Sequence, residues 1–401
     1  MKILYFGSLC DKQLFNKKLQ QKQPFFIAQY SYEQALCCEL EKDKDICIEY
    51  VTIYQTSYFP KDNFCINNLG RQNKKYKLLA FLNLPFLREL SYFFSTIFRI
   101  VCWAVKYRKD KKKCIYSSMH FTPVSLGIVL VANLFHLKKI VTFTDLPLFT
   151  YKKSRVAEMP FYKRVVMGPY IRLTKWLQGA YDGYVLFTEN MNKVVNKSSK
   201  PNCIVEGIFN SSNINLKEPL CKKNAIAHAG TLSHLVGIKN ILEVHHRLKT
   251  PVELWLMGDG DMVEEISQWR KNDKSLIYYG FLPREQVFEK LKTARLLLVL
   301  RDPADEYTQY SFPSKFFEYM VSGTPVFTTC LSGIPKEYYN YLYCTKSTDL
   351  GVIATQVEAV LKKPDEELIR LGKKAQNFIL KEKNAKVQAA KIRDFLFAQF
   401  I

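Results

Sequence analysis

Apolar residues arrive in short runs along the chain, and the runs alternate between two periods. Residues 1–8, 47–53, 114–118, 139–145, 183–188 and 203–206 are short stretches rich in aromatic and branched residues, and they predict buried strands. Helical spacing fills the intervals between them. A polar stretch follows at 209–224, and then the alternation restarts. AIAHAG predicts a strand, GIKNILEVHHRLK a helix, VELWLMG a strand, DMVEEISQWRK a helix, SLIYYG a strand, REQVFEKLKTA a helix, RLLLVLR a strand and TPVFTT another. Strand–helix alternation of this kind predicts an α/β protein with parallel sheets. Two such series predict two Rossmann-like domains, 1–208 and 209–380, with parallel sheets facing across a cleft. Residues 365–400 are helical by pattern, and 381–401 form a terminal helix free to return to the first domain. No fixed-period repeat and no low-complexity tract interrupts the pattern.

Cys114 to Leu137 carries no formal charge and is long enough to cross a bilayer. Pro123, Gly127 and Asn133 break it, and it divides naturally into strand, helix and strand, so a soluble β-α-β unit is expected.

One stretch carries candidate chemistry. In YSFPSKFFEYMVSGTPVF (310–327), Ser311 and Ser314 are suited to cap a helix and Pro313 to its first turn. Phe316, Phe317, Met320 and Val321 supply one apolar face, and Gly323 and Pro325 end the helix. In a doubly wound sheet its start lies at the carboxyl edge of the preceding strand, where ligands bind. Lys315 would add positive charge there for a phosphate, and Glu318 would accept hydrogen bonds from a sugar diol. Spacing alone equally allows a plain surface ion pair between them.

The segment resembles the family-four retaining glycosyltransferases of the GT-B fold, in particular their capsule and exopolysaccharide branch. The matching pieces stand in the family's order: AHAGTL (227–232), GIKNILEV (237–244), LWLMGDGD (254–261), YYGFLPREQV (278–287), the long run 296–338, and KNAKVQAAKI (383–392). TFTDLP (142–147), VLFTENMN (185–192) and IVEGIFN (204–210) extend the likeness more thinly into the first half. The resemblance implies retaining transfer of a sugar from a nucleotide-sugar to a hydroxyl, with Glu318 on the donor ribose. Many members carry a second glutamate where this chain has Tyr310, with Glu306 nearby as a substitute. Many also carry cationic residues where this chain has Thr231 and Val236. Arg301, Lys315 and Lys239 are then the candidates for the diphosphate.

Further binding candidates are Gly230 and Thr231 after the first strand of the second series, and Gly258 and Gly260 after the next. Gly7, with Ser8, follows the first strand of the chain and faces the diphosphate from the other domain. His120 and Asp145 stand at strand ends in the first domain, and His120 joins Glu318, Lys315 and Arg301 as a catalytic candidate. No D-x-D pair of the metal-dependent kind stands out, since GDGD reads as a turn. No metal and no resident cofactor are expected, the nucleotide-sugar serving as co-substrate.

Charge changes the picture once more. The chain of 401 residues holds 59 Lys and Arg against 37 Asp and Glu, a net charge of +22. Such an excess calls for an anionic partner. Residues 71–113 alone contain twelve basic and two acidic residues around a crowd of aromatics, and 151–176 repeat the pattern. Basic, aromatic, amphipathic elements suit an anionic membrane surface; a solvated basic face over a packed aromatic one is the plainer alternative. The eleven cysteines form no C-x-x-C pair, and a reducing cytoplasm suits them. The expected protein is thus cytoplasmic and peripheral at the inner face of the cell membrane, with a glycan or polyprenyl-diphosphate-linked acceptor. Two other classes stay open: a GT-B nucleotide-sugar epimerase, which would need no acceptor, and a nucleic-acid binder, for which no motif is present. No feature specifies an oligomeric state.

Overall fold

The computed structural model describes residues 1–20, 27–67, 75–146, 161–209, 216 and 221–400. The chain divides into two units, Met1–Ile208 together with Ala385–Ile401, and Phe209–Asn384.

The first unit contains β1 (Lys2–Gly7), α1 (Lys12–Gln20), α2 (Ile27–Leu40), β2 (Cys47–Thr52), β3 (Cys65–Ile66), β4 (Tyr76–Leu78), β5 (Phe81–Leu82) and α3 (Leu87–Lys106). It continues with β6 (Lys113–Ser117), α4 (Thr122–Leu134), β7 (Lys138–Phe143), α5 (Phe161–Gln178), β8 (Gly183–Leu186), α6 (Glu189–Val195) and β9 (Asn202–Ile204). Seven strands form a parallel sheet in the order β4-β2-β1-β6-β7-β8-β9. The chain order reverses between β1 and β6, so the ends of these two strands form the switch point of this sheet. The candidate span 114–137 is strand, helix and loop in this sheet, its helix α4 buried along most of its length.

The second unit contains β10 (Ala225–Thr231), α7 (Ile238–His246), β11 (Glu253–Asp259), α8 (Val263–Asn272), β12 (Leu276–Tyr278), α9 (Arg284–Thr293) and β13 (Leu296–Val299). It ends with α10 (Lys315–Val321), β14 (Val326–Thr329), β15 (Tyr343–Thr345), α11 (Leu350–Leu361) and α12 (Asp365–Glu382). Its parallel sheet runs β12-β11-β10-β13-β14-β15, and the order reverses between β10 and β13. Successive residues of the central strands point to opposite faces, as period-two alternation requires. Ala227, Trp255 and Leu297 join Phe316 and Tyr338 in one core. Ile226, Leu254 and Leu296 join Ile241 and Val357 in the other. Both faces are apolar, which is why these strands read as continuous runs in the sequence.

Two expectations need adjusting. The single basic element expected at 71–113 is two short strands in different sheets, β4 and β5, followed by α3, with 71–74 outside the described residues. Of 151–176, residues 151–160 lie outside the described residues and the rest begins α5. The helical stretch 365–400 is two helices, α12 and α13 (Ala385–Ala398), broken at Lys383 and Asn384. The break is where the chain passes from one unit to the other.

Candidate functional site

The site grows from the end of β10. The ladder with β13 pairs Ile226 with Leu296 and Ala227 with Leu297, and Ala229 lies beyond it. Tyr319, on α10, fills the gap. Its hydroxyl accepts the Ala229 N–H at 2.7 Å and donates to the Ala229 carbonyl at 3.0 Å. Ala229 pairs with Met257 of β11, but buried N–H and carbonyl groups left without a partner on the β13 side need such a substitute. The bond also fixes α10 against the carboxyl edge of the sheet.

Gly230 follows in the left-handed half of backbone space, with φ 137°. A Cβ there would lie 2.7 Å from Lys315 Cε, so the end of β10 and the Lys315 stem are in direct contact. Lys315 Nζ donates to Glu318 Oε2 at 3.2 Å. Arg284, the first residue of α9, donates its Nε to Glu318 Oε1, also at 3.2 Å. The Glu318 carboxylate is therefore held between two cations, so the ion-pair alternative for Lys315 and Glu318 is realised, with Arg284 added. Burial pushes the Glu318 carboxyl upward, but Lys315 and Arg284 outweigh it and hold it below the usual carboxylate range.

Arg301 leaves the end of β13. Its Nη1 lies 3.4 Å from Ser311 Oγ, and its guanidinium sits 5.8 Å from the centre of the Tyr307 ring. The loop that carries it is anchored twice. Thr329 Oγ1 donates to the Arg301 carbonyl at 2.6 Å, and the Tyr307 hydroxyl donates to the Leu235 carbonyl. Between these groups lies His228, buried in β10, with Nδ1 2.9 Å from the Leu298 carbonyl. Burial first, then the charges of Lys315 and Arg301, push it down to about 4 against the pull of that carbonyl. It is neutral at pH 7.

Several expected residues have other work. Ser314 stands at the N-cap of α10 with helical backbone angles, and its side chain makes no capping bond. Ser311, the other expected cap, accepts from Arg301 instead. Gly258 and Gly260 are demanded by the chain itself. A Cβ would lie 1.8 Å from the Gly230 carbonyl oxygen at the first and 2.1 Å from that of Leu232 at the second. Their small size lets the β10 and β11 loops stack backbone on backbone. Thr231 is exposed at the tip of β10, Lys239 is exposed on α7, and Val236 is half-buried before Gly237. Glu306 is exposed at the start of a 3₁₀ turn, with Tyr310 half-buried just after it.

In the first unit, Gly7 ends β1 at the switch point. A Cβ there would meet Glu33 Oε2 and Ser118 Oγ, each at 2.6 Å. The fully buried Glu33 carboxylate accepts the N–H groups of Ser8 at 2.7 Å and Leu9 at 3.0 Å, the Ser8 hydroxyl at 3.0 Å, Gln29 Nε2 at 2.9 Å, and the Ser118 hydroxyl. Burial pushes its pKa up, against those bonds. The N–H groups of Ser8 and Leu9 and the Ser8 hydroxyl are thus already taken by an internal carboxylate. His120 follows β6, with Nδ1 3.2 Å from Ser125 Oγ and a buried Nε2 that has no hydrogen-bond partner among the described residues. Burial pushes its pKa down to about 4. Asp145 is exposed beyond β7. Among the described residues no group of three or more His, Cys, Asp and Glu is placed to hold a metal ion.

Sequence reasoning missed Arg284, His228, Tyr319 and Glu33. Arg284 and Glu318 are 34 residues apart and meet only through the fold.

Residues 212–378 match the family model of the glycosyl transferases group 1. The matched stretch lies within the second unit. The whole chain is similar to sucrose-phosphate synthase from Thermosynechococcus elongatus, with 13% identity, TM-score 0.66, and coverage of 100% of this chain and 99% of the other. It is equally similar to Anabaena Alr3699/HepE in complex with UDP, at 13% identity and TM-score 0.66 over 99% of this chain and 100% of the other. WaaG, a glycosyltransferase involved in lipopolysaccharide biosynthesis, matches at 12% identity and TM-score 0.59 over 99% of each chain. No curated protein sequence matches. The fold is GT-B, and domain and fold together support an enzyme of the glycosyltransferase class.

Proposed function

We propose that the protein is a retaining glycosyltransferase that moves a sugar from a nucleotide-sugar to a glycan acceptor, lipid-linked, in the assembly of a cell-surface polysaccharide such as a capsule. The observation that carries this reading is Glu318, held between Lys315 and Arg284 beside Gly230 at the switch point of the second sheet. A carboxylate so placed accepts two hydrogen bonds from a ribose diol. Taking the diol frees Lys315 and Arg284 to face the diphosphate, with Arg301 a third cation on the same edge. As the bond between the sugar and the diphosphate breaks, charge gathers on the leaving phosphate, and cations already in place stabilise it. His228, neutral at neutral pH, packs beneath them without adding repulsion. No protein nucleophile is assigned, and no resident cofactor is needed.

The structural relative HepE is described in complex with UDP, with UDP and glucose, and with UDP-glucose, so uridine diphosphates are the first ligands to try. The eleven free thiols support a cytoplasmic setting.

The test is a thermal-shift panel of nucleoside diphosphates and nucleotide-sugars. A ligand at 100 times its dissociation constant stabilises the fold by about 2.7 kcal/mol, a clear rise in melting temperature. One responder, lost in Glu318→Ala, supports the donor site and names the base. A panel in which the responder persists unchanged in Glu318→Ala removes this site from donor binding. Product analysis with and without acceptor then separates transfer from epimerisation.

A further inference from the structure

The outer face of α3 is apolar and uncovered. Tyr92, Thr96, Ile100 and Trp103 point inward and are buried. Residues at four-residue spacing on another side of the helix are not: Phe86 is 81% exposed, Leu90 52%, Phe94 58% and Phe98 64%. Four-residue spacing puts Leu90, Phe94 and Phe98 in one stripe, about 12 Å from end to end at 1.5 Å per residue, with Phe86 at the N-cap before it. The stripe continues onto α4. Tyr92 packs edge-on to Phe121, and Gly127 lies against Thr96 and the Phe93 carbonyl, so α3 and α4 run side by side in the same direction. Leu130 and Leu134, exposed on α4, then fall beside the second half of α3. Large apolar side chains left in water in one continuous band mark a docking surface.

Charge says what docks. Glu89 is the one acid in α3. Immediately after the helix, Arg108, Lys109, Lys111 and Lys112 are all exposed. Arg172, Lys175 and Trp176 are exposed on α5, which is tied to α4 through the hydroxyls of Thr174 and Thr122 at 3.0 Å. An apolar band bordered by cations fits a bilayer with anionic headgroups, the side chains entering the acyl boundary and the cations meeting phosphate. A second copy of the chain would bring two like-charged clusters to the same interface. No helix among the described residues is long and apolar enough to cross a membrane, so the contact is with the surface.

We propose that the exposed face of α3 and α4, from Phe86 to Leu134, docks this protein on an anionic lipid bilayer. The proposal goes beyond the donor-site reading and does not depend on it, since lipid binding needs no nucleotide.

The experiment is flotation of the full chain with vesicles of phosphatidylcholine alone and of phosphatidylcholine mixed with phosphatidylglycerol, at low and high salt. Wild type floats with the anionic vesicles at low salt and less so at high salt, where screening weakens the cationic contribution. Replacing both aromatics, Phe94→Ser with Phe98→Ser, lowers the partition coefficient about a hundredfold, from about tenfold for each buried aromatic. Its melting temperature and its response to nucleoside diphosphates stay those of wild type. Failure of wild type to float at low salt would overturn the proposal, as would flotation of the double variant like wild type. So would a wild-type dimer in light scattering that the double variant dissolves, because the face would then be a contact between copies of the chain.

Discussion

Tyr319→Phe isolates one atom that holds the candidate site together. The substitution leaves the ring in its buried place and deletes the hydroxyl that spans the Ala229 N–H and carbonyl at 2.7 and 3.0 Å. Ala229 is buried and lies beyond the β10–β13 ladder, so neither group has water or a strand in reserve. Leaving a buried donor or acceptor unsatisfied costs about 1–3 kcal/mol. Two groups on one residue, with some relaxation, give a loss of about 2 kcal/mol. In a unit of this size that corresponds to a fall in melting temperature of about 4–8 °C. The same bond fixes α10, so Lys315 and Glu318 lose their register with Gly230, and kcat/KM for the donor drops about tenfold or more. Urea denaturation and steady-state kinetics on the same preparation measure both. A change below about 0.5 kcal/mol, with unaltered kinetics, would refute the argument that this hydroxyl substitutes for a missing strand contact.

Glu318→Ala and Lys315→Ala are each expected to lower kcat/KM by about a hundredfold or more while leaving the circular dichroism spectrum unchanged, as removal of one preorganised charge contact does; near-wild-type turnover in both removes them from the site. Stability is expected to fall between about pH 6.5 and pH 4, because His228 is neutral in the fold down to about 4 while the unfolded chain takes up its proton from about 6.5. His228→Asn, compared with wild type by melting temperature across that range, is expected to flatten part of the slope, and an identical slope contradicts the assignment. Glu33→Gln sets an amide against donors that all point at a carboxylate, and a loss of at least about 2 kcal/mol is expected in chemical denaturation; an unchanged midpoint would mean the network is not formed as described.

The strand–helix alternation and the helix at 315–321 were legible because both faces of these parallel sheets are buried, so each central strand is an apolar run bounded by polar residues. Gly323 was legible as a stop because its φ of 73° suits glycine. What stayed hidden depends on contacts far apart in sequence. His228 sits in AIAHAG and reads as one more strand residue until Lys315 and Arg301 close over it. Glu33 looks like an ordinary helix-surface glutamate in SYEQAL, and only the meeting of α2 with the ends of β1 and β6 turns it inward. Ser314 misled for a local reason: its residue type favours capping, but its backbone is already helical. The strand β15, YCT, is too short to announce itself.

The return of α13 to the first unit makes that unit discontinuous in the gene's order of reading. α13 packs on α2 and β9, yet it follows the whole of the second unit in sequence. During synthesis the second unit is therefore complete and free to fold while the first still lacks its last helix. Domains emerging from the ribosome fold as units, usually the earliest first. Here the later unit closes before the earlier one, and the early residues of α2 and β9 wait with an uncovered apolar side until the final stretch of chain arrives.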